Sequence, residues 1–262
     1  MTRTGNASLS AGKFYDELGD GYDLMINWGA RLRRETPFFQ KLFEEHGVKK
    51  VLDCACGSGR HAIEFAGWGL EAAGCDISPK MLRMARRNAA EADVDIDFFD
   101  AGLTEVSQKV GEKKFDAVVC IGNSLPHLLT QRELDRAMRS IKRALAPGGL
   151  FISQIRNYEK ILRENLRFMP PTSAESEDGE CVFFRMLDIH GPRRVDFHIF
   201  RFRRESAKWR HDVQTTRLRP ITKNHMDAAL ERAGFQKVRH YADYAFTPFR
   251  TGKTLDLITV AR

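Results

Sequence analysis

Apolar positions in the first part of the chain recur at helical spacing, over residues 14–46. Phe14, Leu18 and Met25 fall on one face of a helix, and residues 32–43 continue the same period. A period of about 3.6 residues is typical of an amphipathic helix that packs against a core. The chain is therefore predicted to begin with helices.

From residue 47 onward, short apolar runs alternate with helical stretches. Strands are predicted over residues 50–53, 70–76, 96–100, 115–121 and 150–155. Helices are predicted over residues 60–68 and 133–146, and a further helix starts at Ser78-Pro79, with Ser as the cap and Pro in the first turn. Strands that alternate with helices predict a doubly wound parallel sheet.

A different pattern interrupts this alternation. It consists of three apolar runs separated by turns, at residues 181–187, 194–204 and 208–218, and it predicts an antiparallel β insertion. The α/β pattern then returns, with a helix at residues 222–234 and strands at 235–241 and 255–261. The predicted fold class is α/β: a doubly wound, Rossmann-like sheet of seven strands with N-terminal helices and an antiparallel β insertion.

Composition narrows the class of protein. The chain has 262 residues, five cysteines and a formal net charge of +7. No apolar run approaches the roughly 18–20 residues that span a bilayer, and the polar start of the chain has no apolar signal core. No second Cys/His cluster completes a zinc set with Cys54 and Cys56. We therefore expect reduced thiols, no metal site, no membrane partner and a cytoplasmic location.

Much of the positive charge falls within residues 192–219. This segment carries nine Lys/Arg and three Asp/Glu, a net charge of +6. A solvated face of a β-sheet and a phosphate-binding patch are both consistent with such a segment.

A glycine-rich turn follows the first strand, in Val51-Leu-Asp-Cys-Ala-Cys-Gly-Ser-Gly-Arg-His-Ala62. Gly57 and Gly59 allow a sharp backbone turn and the close approach of a ligand. The same spacing also fits the dinucleotide fingerprint, with Asp76 in the position of a ribose-binding acid. On this motif alone, a nicotinamide-dependent oxidoreductase stays open.

Polar side chains stand at consecutive strand ends, at Asp53, Asp76, Asp100 and Asn123. The carboxyl ends of parallel strands form the crevice in which open α/β sheets bind ligands. Asp53 would repel a pyrophosphate but attract a ligand that carries an ammonium and a sulfonium. The Asp100 carboxylate can accept a hydrogen bond from an adenine amino group. These features favour S-adenosylmethionine (SAM) over a dinucleotide.

Together these residues resemble the class I SAM-dependent methyltransferases, over residues 48–156 and 222–262. The resemblance implies that SAM is the cofactor, that the glycine loop passes its methionine moiety, that Asp76 holds the ribose hydroxyls and that Asp100 contacts the adenine. The residues expected to contact the cofactor are Tyr15, Trp28, Arg31, Asp53, Ala55, Gly57, Gly59, Asp76, Ile77, Met81, Asp100, Ala101, Gly102 and Ile121.

Two further stretches are similar to the glycine and glycine/sarcosine N-methyltransferases. They are Cys120-Ile-Gly-Asn-Ser-Leu-Pro-His-Leu128 and Ile155-Arg-Asn-Tyr-Glu-Lys-Ile-Leu162. This similarity implies that Asn123 and Arg156 meet an amino-acid substrate. An Arg at a strand end can bind a carboxylate bidentately, and a side-chain oxygen of Asn123, Tyr15 or Tyr22 can orient a neutral amine. We expect Asn123, Arg156 and Tyr22 to be catalytic, whereas His127 is either a general base or a packing residue.

The expected organisation has three parts. Residues 1–46 form a helical lid, residues 47–165 and 220–262 form the SAM-binding methyltransferase domain, and residues 166–219 form the insertion on the substrate side. No stretch within residues 162–241 matches substrate-facing residues of the N-methyltransferases, so a larger or more anionic acceptor than glycine stays open.

The predicted function is transfer of a methyl group from SAM to a small molecule, with the amine of an amino acid such as glycine or sarcosine as one acceptor. A nucleic-acid methyltransferase that uses the basic insertion is the alternative, although the loop at residues 122–126 is not the Asn/Asp-Pro-Pro-aromatic turn that presents a flipped base. A SAM-binding protein without methyl transfer and a homo-oligomeric assembly also stay open.

Overall fold

The computed structural model describes residues 8–176, 179–206 and 208–262, so residues 1–7 of the expected lid lie outside it. In chain order the strands are β1 (Lys50–Cys54), β2 (Glu71–Asp76), β3 (Asp97–Asp100), β4 (Phe115–Cys120), β5 (Leu145–Arg156), β6 (Thr172–Ser176), β7 (Gly179–Ile189), β8 (Val195–Glu205), β9 (Lys208–Leu218), β10 (Val238–Tyr241) and β11 (Asp256–Ala261). The α-helices are α1 (Ala11–Leu18), α2 (Gly21–Met25), α3 (Trp28–His46), α4 (Arg60–Gly67), α5 (Pro79–Glu91), α6 (Val106–Lys109), α7 (Gln131–Ala144), α8 (Tyr158–Glu164) and α9 (Lys223–Arg232).

Seven of the described strands form one sheet in the order β10-β11-β5-β4-β1-β2-β3. The strands β1 to β5 pair in parallel, whereas β11 is antiparallel to β5 and β10 is antiparallel to β11. The apolar side chains of β1 and β4 are buried because helices cover both faces of the sheet. The predicted fold class is confirmed.

The junction between α7 and β5 differs from the prediction. The helix ends at Ala144, and the strand begins at Leu145 and runs through Pro147-Gly148-Gly149, the segment expected to separate the two elements. Gly148 has φ of 76°, and the β4–β5 register shifts between Phe115 and Ala117. A bulge at this point lets the strand bend and continue its pairing, and glycine accommodates the left-handed backbone.

The insertion forms a second, antiparallel sheet in the order β6-β7-β8-β9. The strands β7, β8 and β9 confirm the three predicted runs. The fourth strand, β6, was not predicted, because its sequence Thr-Ser-Ala-Glu-Ser has no apolar alternation. Its position at the sheet edge, paired only with β7 among the described strands, explains why it lacks apolar side chains.

The N-terminal helices connect the two sheets. Phe14, Leu18 and Met25 are buried together with Cys181 and Phe183 of β7, so α1 and α2 lie against the insertion. The later helix α3 packs on the larger sheet through a separate set of aromatic residues. No described helix is long and apolar enough to cross a membrane.

Candidate active site

The glycine turn after β1 has the left-handed backbone that makes its predicted sharp bend possible. Gly57 and Gly59 have φ of 56° and 79°, which L side chains rarely adopt. A Cβ atom on Gly59 would lie 2.9 Å from Cβ of Ala85, so a larger residue would displace α5 from α4. The turn therefore depends on glycine for both its conformation and its packing.

The Asp76 carboxylate holds this turn in place from the end of β2. Its Oδ2 accepts a hydrogen bond from the Gly57 backbone N–H at 2.9 Å, and its Oδ1 accepts one from the Ser78 N–H at 2.8 Å. Burial raises the pKa of Asp76, while these N–H donors oppose the rise. One carboxylate thus links the glycine turn to the N-terminus of α5.

A cavity of about 300 Å³ opens beside Gly57 and Asp76. Its volume lies at the lower end of the ~300–1,000 Å³ typical of small-molecule sites. Eight residues expected to contact the cofactor or substrate line it: Tyr15, Tyr22, Ala55, Gly57, Asp76, Ile77, Met81 and Gly102. Its other lining residues include Thr104, Ser124, Leu128, Glu133 and Arg136. None of these five was assigned to the site from the sequence. Ser124 and Leu128 lie in the stretch 120–128 that is similar to the N-methyltransferases, and Glu133 belongs to the capping box that starts α7.

Asp53 lies deeper, at the end of β1, and is 2% exposed. Its Oδ2 is buried without a hydrogen-bond partner among the described residues. Burial raises the pKa of Asp53 to about 8, although the charge of Arg31 opposes this rise. Arg31 itself donates to Glu35 at 3.0 Å, so it does not neutralise Asp53 through a direct contact. A bound cation would satisfy this carboxylate.

Two aspartates dock the N-terminal helices onto this site. Asp23 accepts hydrogen bonds from Trp28 Nε1 at 2.8 Å, from Ser58 Oγ at 2.5 Å and from Arg60 of α4. Asp16 accepts from Ser78 Oγ at 2.6 Å and from the Lys80 backbone N–H at 3.1 Å. Asp16 thus connects α1 to the N-terminus of α5, where a carboxylate is favourable, and Asp23 connects α2 to side chains at the start of α4.

Three aromatic rings extend from the lid toward the turn. Tyr15 and Tyr22 make an edge-to-face contact, and a Cβ atom on Gly57 would lie 3.4 Å from the Tyr22 ring. Trp28 contacts Tyr22 and lies under the Arg31 guanidinium at 5.1 Å. Burial raises the pKa of Tyr22 to about 12, so its hydroxyl keeps its proton at neutral pH.

Asn123 and Arg156 lie side by side, after β4 and at the end of β5. Asn123 has φ of 66°; its Oδ1 accepts from the Arg156 backbone N–H at 3.0 Å, and its Nδ2 donates to the Tyr158 hydroxyl at 3.1 Å. The Asn123 amide thus has partners within the protein. The Arg156 guanidinium is half-buried and has no hydrogen bond or ion pair within the described residues.

His127 lines the cavity and contacts Tyr15. Its Nε2 is 3.3 Å from the Tyr15 hydroxyl. Burial lowers the pKa of His127 to about 4, so the imidazole is neutral at physiological pH. Both interpretations of this residue, as a base and as a packing residue, are compatible with a neutral ring.

The other nine expected site residues are not part of the cavity lining: Trp28, Arg31, Asp53, Gly59, Asp100, Ala101, Ile121, Asn123 and Arg156. Asp100 is exposed at the end of β3, beside the cavity residue Gly102. Asp53, Gly59, Ala101 and Ile121 lie behind the lining, and all but Gly59 are buried side chains of the strand ends. The described residues contain no cluster of three or more His, Cys, Asp or Glu that could hold a metal ion.

Comparison with known proteins shows the family to which the chain belongs. A family model described as "Methyltransferase domain" matches residues 51–149. The chain is 31% identical over 227 residues to the glycine/sarcosine N-methyltransferase of Aphanothece halophytica, covering 86% of this chain and 81% of that protein. The chain belongs to the family of SAM-dependent methyltransferases that contains this enzyme.

Two further similarities agree with the assignment. The methyltransferase is 29% identical to the glycine/sarcosine N-methyltransferase of Parasynechococcus marenigrum (strain WH8102), over 88% of this chain and 79% of that protein. The CcbJ methyltransferase from Streptomyces caelestis has the same fold, with a TM-score of 0.76 at 24% identity and coverage of 95% and 97% of the two chains. The predicted enzyme class and cofactor are confirmed.

The residues around the cavity fit SAM. When bound, SAM supplies a methyl group on a positively charged sulfur. The unpartnered Asp53 oxygen suits the ammonium of its methionine moiety, and Asp76 presents a carboxylate suited to ribose hydroxyls. A dinucleotide would bring a pyrophosphate close to the buried Asp53, which opposes that alternative.

Proposed function

We propose that this methyltransferase transfers the methyl group to the amine of a small amino acid, with glycine and sarcosine as the first candidates. The observation that carries the proposal is the half-buried Arg156 guanidinium at the end of β5, which has no carboxylate bonded to it in the described residues. A guanidinium in this state suits the carboxylate of an incoming amino acid. The glycine/sarcosine N-methyltransferases named above support the same acceptor class.

In this proposal the protein acts mainly by positioning. Methyl transfer needs the acceptor nitrogen in line with the methyl group, and such alignment accounts for much of an enzyme's rate enhancement. Asn123 holds the backbone of Arg156 and so fixes where the carboxylate binds. Tyr22, protonated because burial raises its pKa to about 12, presents a hydroxyl oxygen to an amine N–H. His127 is neutral and is the available acceptor of the proton that the amine loses.

The three regions take separate roles in this proposal. Residues 47–165 and 220–262 bind the cofactor through eleven of the fourteen contacts expected from the sequence. Residues 1–46 supply the other three and act as a lid through Tyr15, Tyr22 and Trp28, and residues 166–219 form the substrate-side wall. This assignment agrees with the docking of α1 and α2 between the two sheets.

No specific contact favours a nucleic-acid substrate. Several arginines of the basic segment are paired with acids inside the insertion sheet: Arg194 with Asp196, Arg201 with Asp212 and Arg210 with Glu205. Paired guanidiniums are less available to phosphates than free ones, so the solvated-face interpretation of residues 192–219 is preferred.

The test is the transfer of radiolabelled methyl from SAM, with separate pools of amino acids, small amines and total RNA as acceptors. We expect label in glycine, sarcosine or a related amino acid. An Arg156→Ala enzyme run beside the wild type should lose label from amino acids at low acceptor concentration. Label in RNA alone would overturn the proposal and would make the basic insertion the substrate platform.

A further inference from the structure

One arginine of the insertion points toward the protein interior. Arg185 lies on β7, on the strand face that also carries Phe183 and Leu187, which are 0% and 2% exposed. Side chains two positions apart in a strand share one face, so Arg185 lies between these two buried residues. Phe183 packs with the lid helices, whereas Leu187 packs with Tyr158 at the start of α8. Arg185 therefore faces the place where lid, insertion and β5 meet.

The Arg185 guanidinium is poorly satisfied within the described residues. Its Nε is buried without a hydrogen-bond partner, and its single side-chain hydrogen bond there goes to the Pro170 carbonyl at 3.3 Å. No described carboxylate lies within ion-pair distance, unlike the nearby Arg167, which is paired with Asp188 at 3.1 Å. Burying a guanidinium without an anionic partner costs free energy when the protein folds. This cost indicates that a ligand supplies the anion.

Arg156 lies close to this group. Burial lowers the pKa of Arg185, and the positive charge of Arg156 lowers it further. The positive charge of Arg156 also lowers the pKa of Tyr158, whose hydroxyl accepts a hydrogen bond from the Asn123 amide. Asp256 of β11 pairs in register with Arg156 and accepts a hydrogen bond from Gln154 at 2.9 Å. The charge of Arg156 thus acts on Arg185, while Asp256, the cross-strand neighbour of Arg156, is engaged by Gln154.

We propose that Arg185 is a second anion-binding residue of the acceptor site and that, together with Arg156, it binds the acceptor's carboxylate from the insertion side. The proposal rests on the proposed function, because it takes the acceptor to be an amino acid. It gives the insertion a direct role in specificity: two arginines select an acceptor with a carboxylate over one with a neutral amide at the same position.

The test measures binding without turnover. Glycolate, which carries a hydroxyl in place of the amine of glycine, and its neutral match glycolamide are titrated by NMR into protein saturated with S-adenosylhomocysteine. Arg185→Met should weaken glycolate binding by about 10-fold or more, since a charged hydrogen bond is lost, and should change glycolamide binding by less than about twofold. Arg167→Met, a paired arginine from the same region, is the matched control and should change neither.

Two results would overturn the assignment. Glycolate affinity that is unchanged in Arg185→Met would remove Arg185 from the site, and an equal loss for glycolate and glycolamide would show a structural role only. If Arg185→Met does not fold, Arg185→Lys carries the same comparison, because it keeps the charge and loses the planar fork; equal effects on the two probes would again contradict the proposal.

Failure of the proposed function gives a different result. A wild-type enzyme that labels neither glycine nor sarcosine contradicts the acceptor assignment, while Arg185-dependent glycolate binding in that enzyme still supports the anion site. Conversely, an enzyme that labels glycine, with a glycine KM that Arg185→Met leaves unchanged, supports the function and contradicts the role of Arg185.

Discussion

The two sheets of this methyltransferase bring opposite charges to the candidate site. The seven-stranded sheet ends in carboxylates, with Asp53 and Asp76 buried at the ends of β1 and β2. The four-stranded sheet brings a guanidinium, Arg185, to its inner face, close to Arg156 of β5. The charges of the two ligands are complementary to those of the sheets. SAM carries an ammonium and a sulfonium, whereas an amino-acid acceptor carries a carboxylate. Under the two proposals above, one end of the site suits a cation and the other suits an anion.

The largest expected effect is on the affinity for SAM, the cationic ligand. Asp76→Ala removes a carboxylate suited to two ribose hydroxyls, and we expect the SAM dissociation constant to rise by about 100-fold or more. Because Asp76 also accepts from Gly57 and Ser78, the melting temperature should fall as well. Calorimetric titration with SAM measures the affinity, and Asp76→Asn, which keeps an acceptor oxygen, should show a smaller loss. Unchanged affinity in Asp76→Ala would remove this residue from the cofactor site.

The anionic side is tested by Arg156→Ala. We expect the acceptor KM to rise by about 10- to 100-fold, because a charged hydrogen-bonding group is lost, while the SAM dissociation constant stays within about twofold. Steady-state kinetics at saturating SAM measures the first quantity and calorimetry the second. The reverse pattern, a loss of SAM affinity with an unchanged acceptor KM, would place Arg156 on the cofactor side.

The ionisation of Asp53 makes the stability of the fold depend on pH. Its pKa is about 8 in the folded protein, above its ordinary value of 3.8, so the folded state binds the extra proton between these values. The contribution of Asp53 to the free energy of unfolding is therefore fully present below pH 3.8, and this contribution is lost as the pH rises from 3.8 toward 8. Asp53→Asn removes this loss, and we expect it to stabilise the ligand-free protein at pH 8 by ~1–3 kcal/mol, while it weakens SAM binding by about 10-fold.

Two measurements check the Asp53 prediction. Thermal melts of both proteins should diverge as the pH rises from 6 to 8, by roughly 2–4 °C per kcal/mol for a domain of this size. Calorimetry in buffers of different ionisation enthalpy should show proton release on SAM binding by the wild type near pH 7.5 and little release by Asp53→Asn. A wild type that releases no proton would mean that Asp53 does not meet a cation.

The smallest effect concerns arginines that the insertion pairs internally. Arg203 approaches Asp212 at 3.6 Å and Arg204 approaches Glu180 at 4.0 Å. The double variant Arg203→Gln/Arg204→Gln should change kcat and acceptor KM by less than about twofold, because exposed ion pairs contribute little. Arg201 is left in place, since it also donates to the Leu18 carbonyl at the end of α1. A large loss of activity would mean that this face of the insertion contacts substrate.

The sequence was informative where a local pattern decides the position of a side chain. Asp53, Gly57 and Asp76 were found because the carboxyl ends of parallel strands meet at one edge. Arg185 and Asp23 were not assigned roles, because their positions depend on how the lid and the insertion pack onto the larger sheet, and no local period encodes that packing. Asn123 shows the same limit: its left-handed backbone turns the amide toward Arg156 and Tyr158, which spacing alone does not reveal.

The two aspartates that dock the lid have a kinetic consequence. Ala11, Tyr15 and Tyr22 form one wall of the cavity, and the helices that carry them are held by Asp16 at α5 and by Asp23 at α4. If residues 1–46 act as the proposed lid, replacing spent cofactor with fresh cofactor requires this wall to move, and such opening steps set the turnover of many enzymes. In that case the residence time of the cofactor depends on the contacts of Asp16 and Asp23 as well as on the cavity itself.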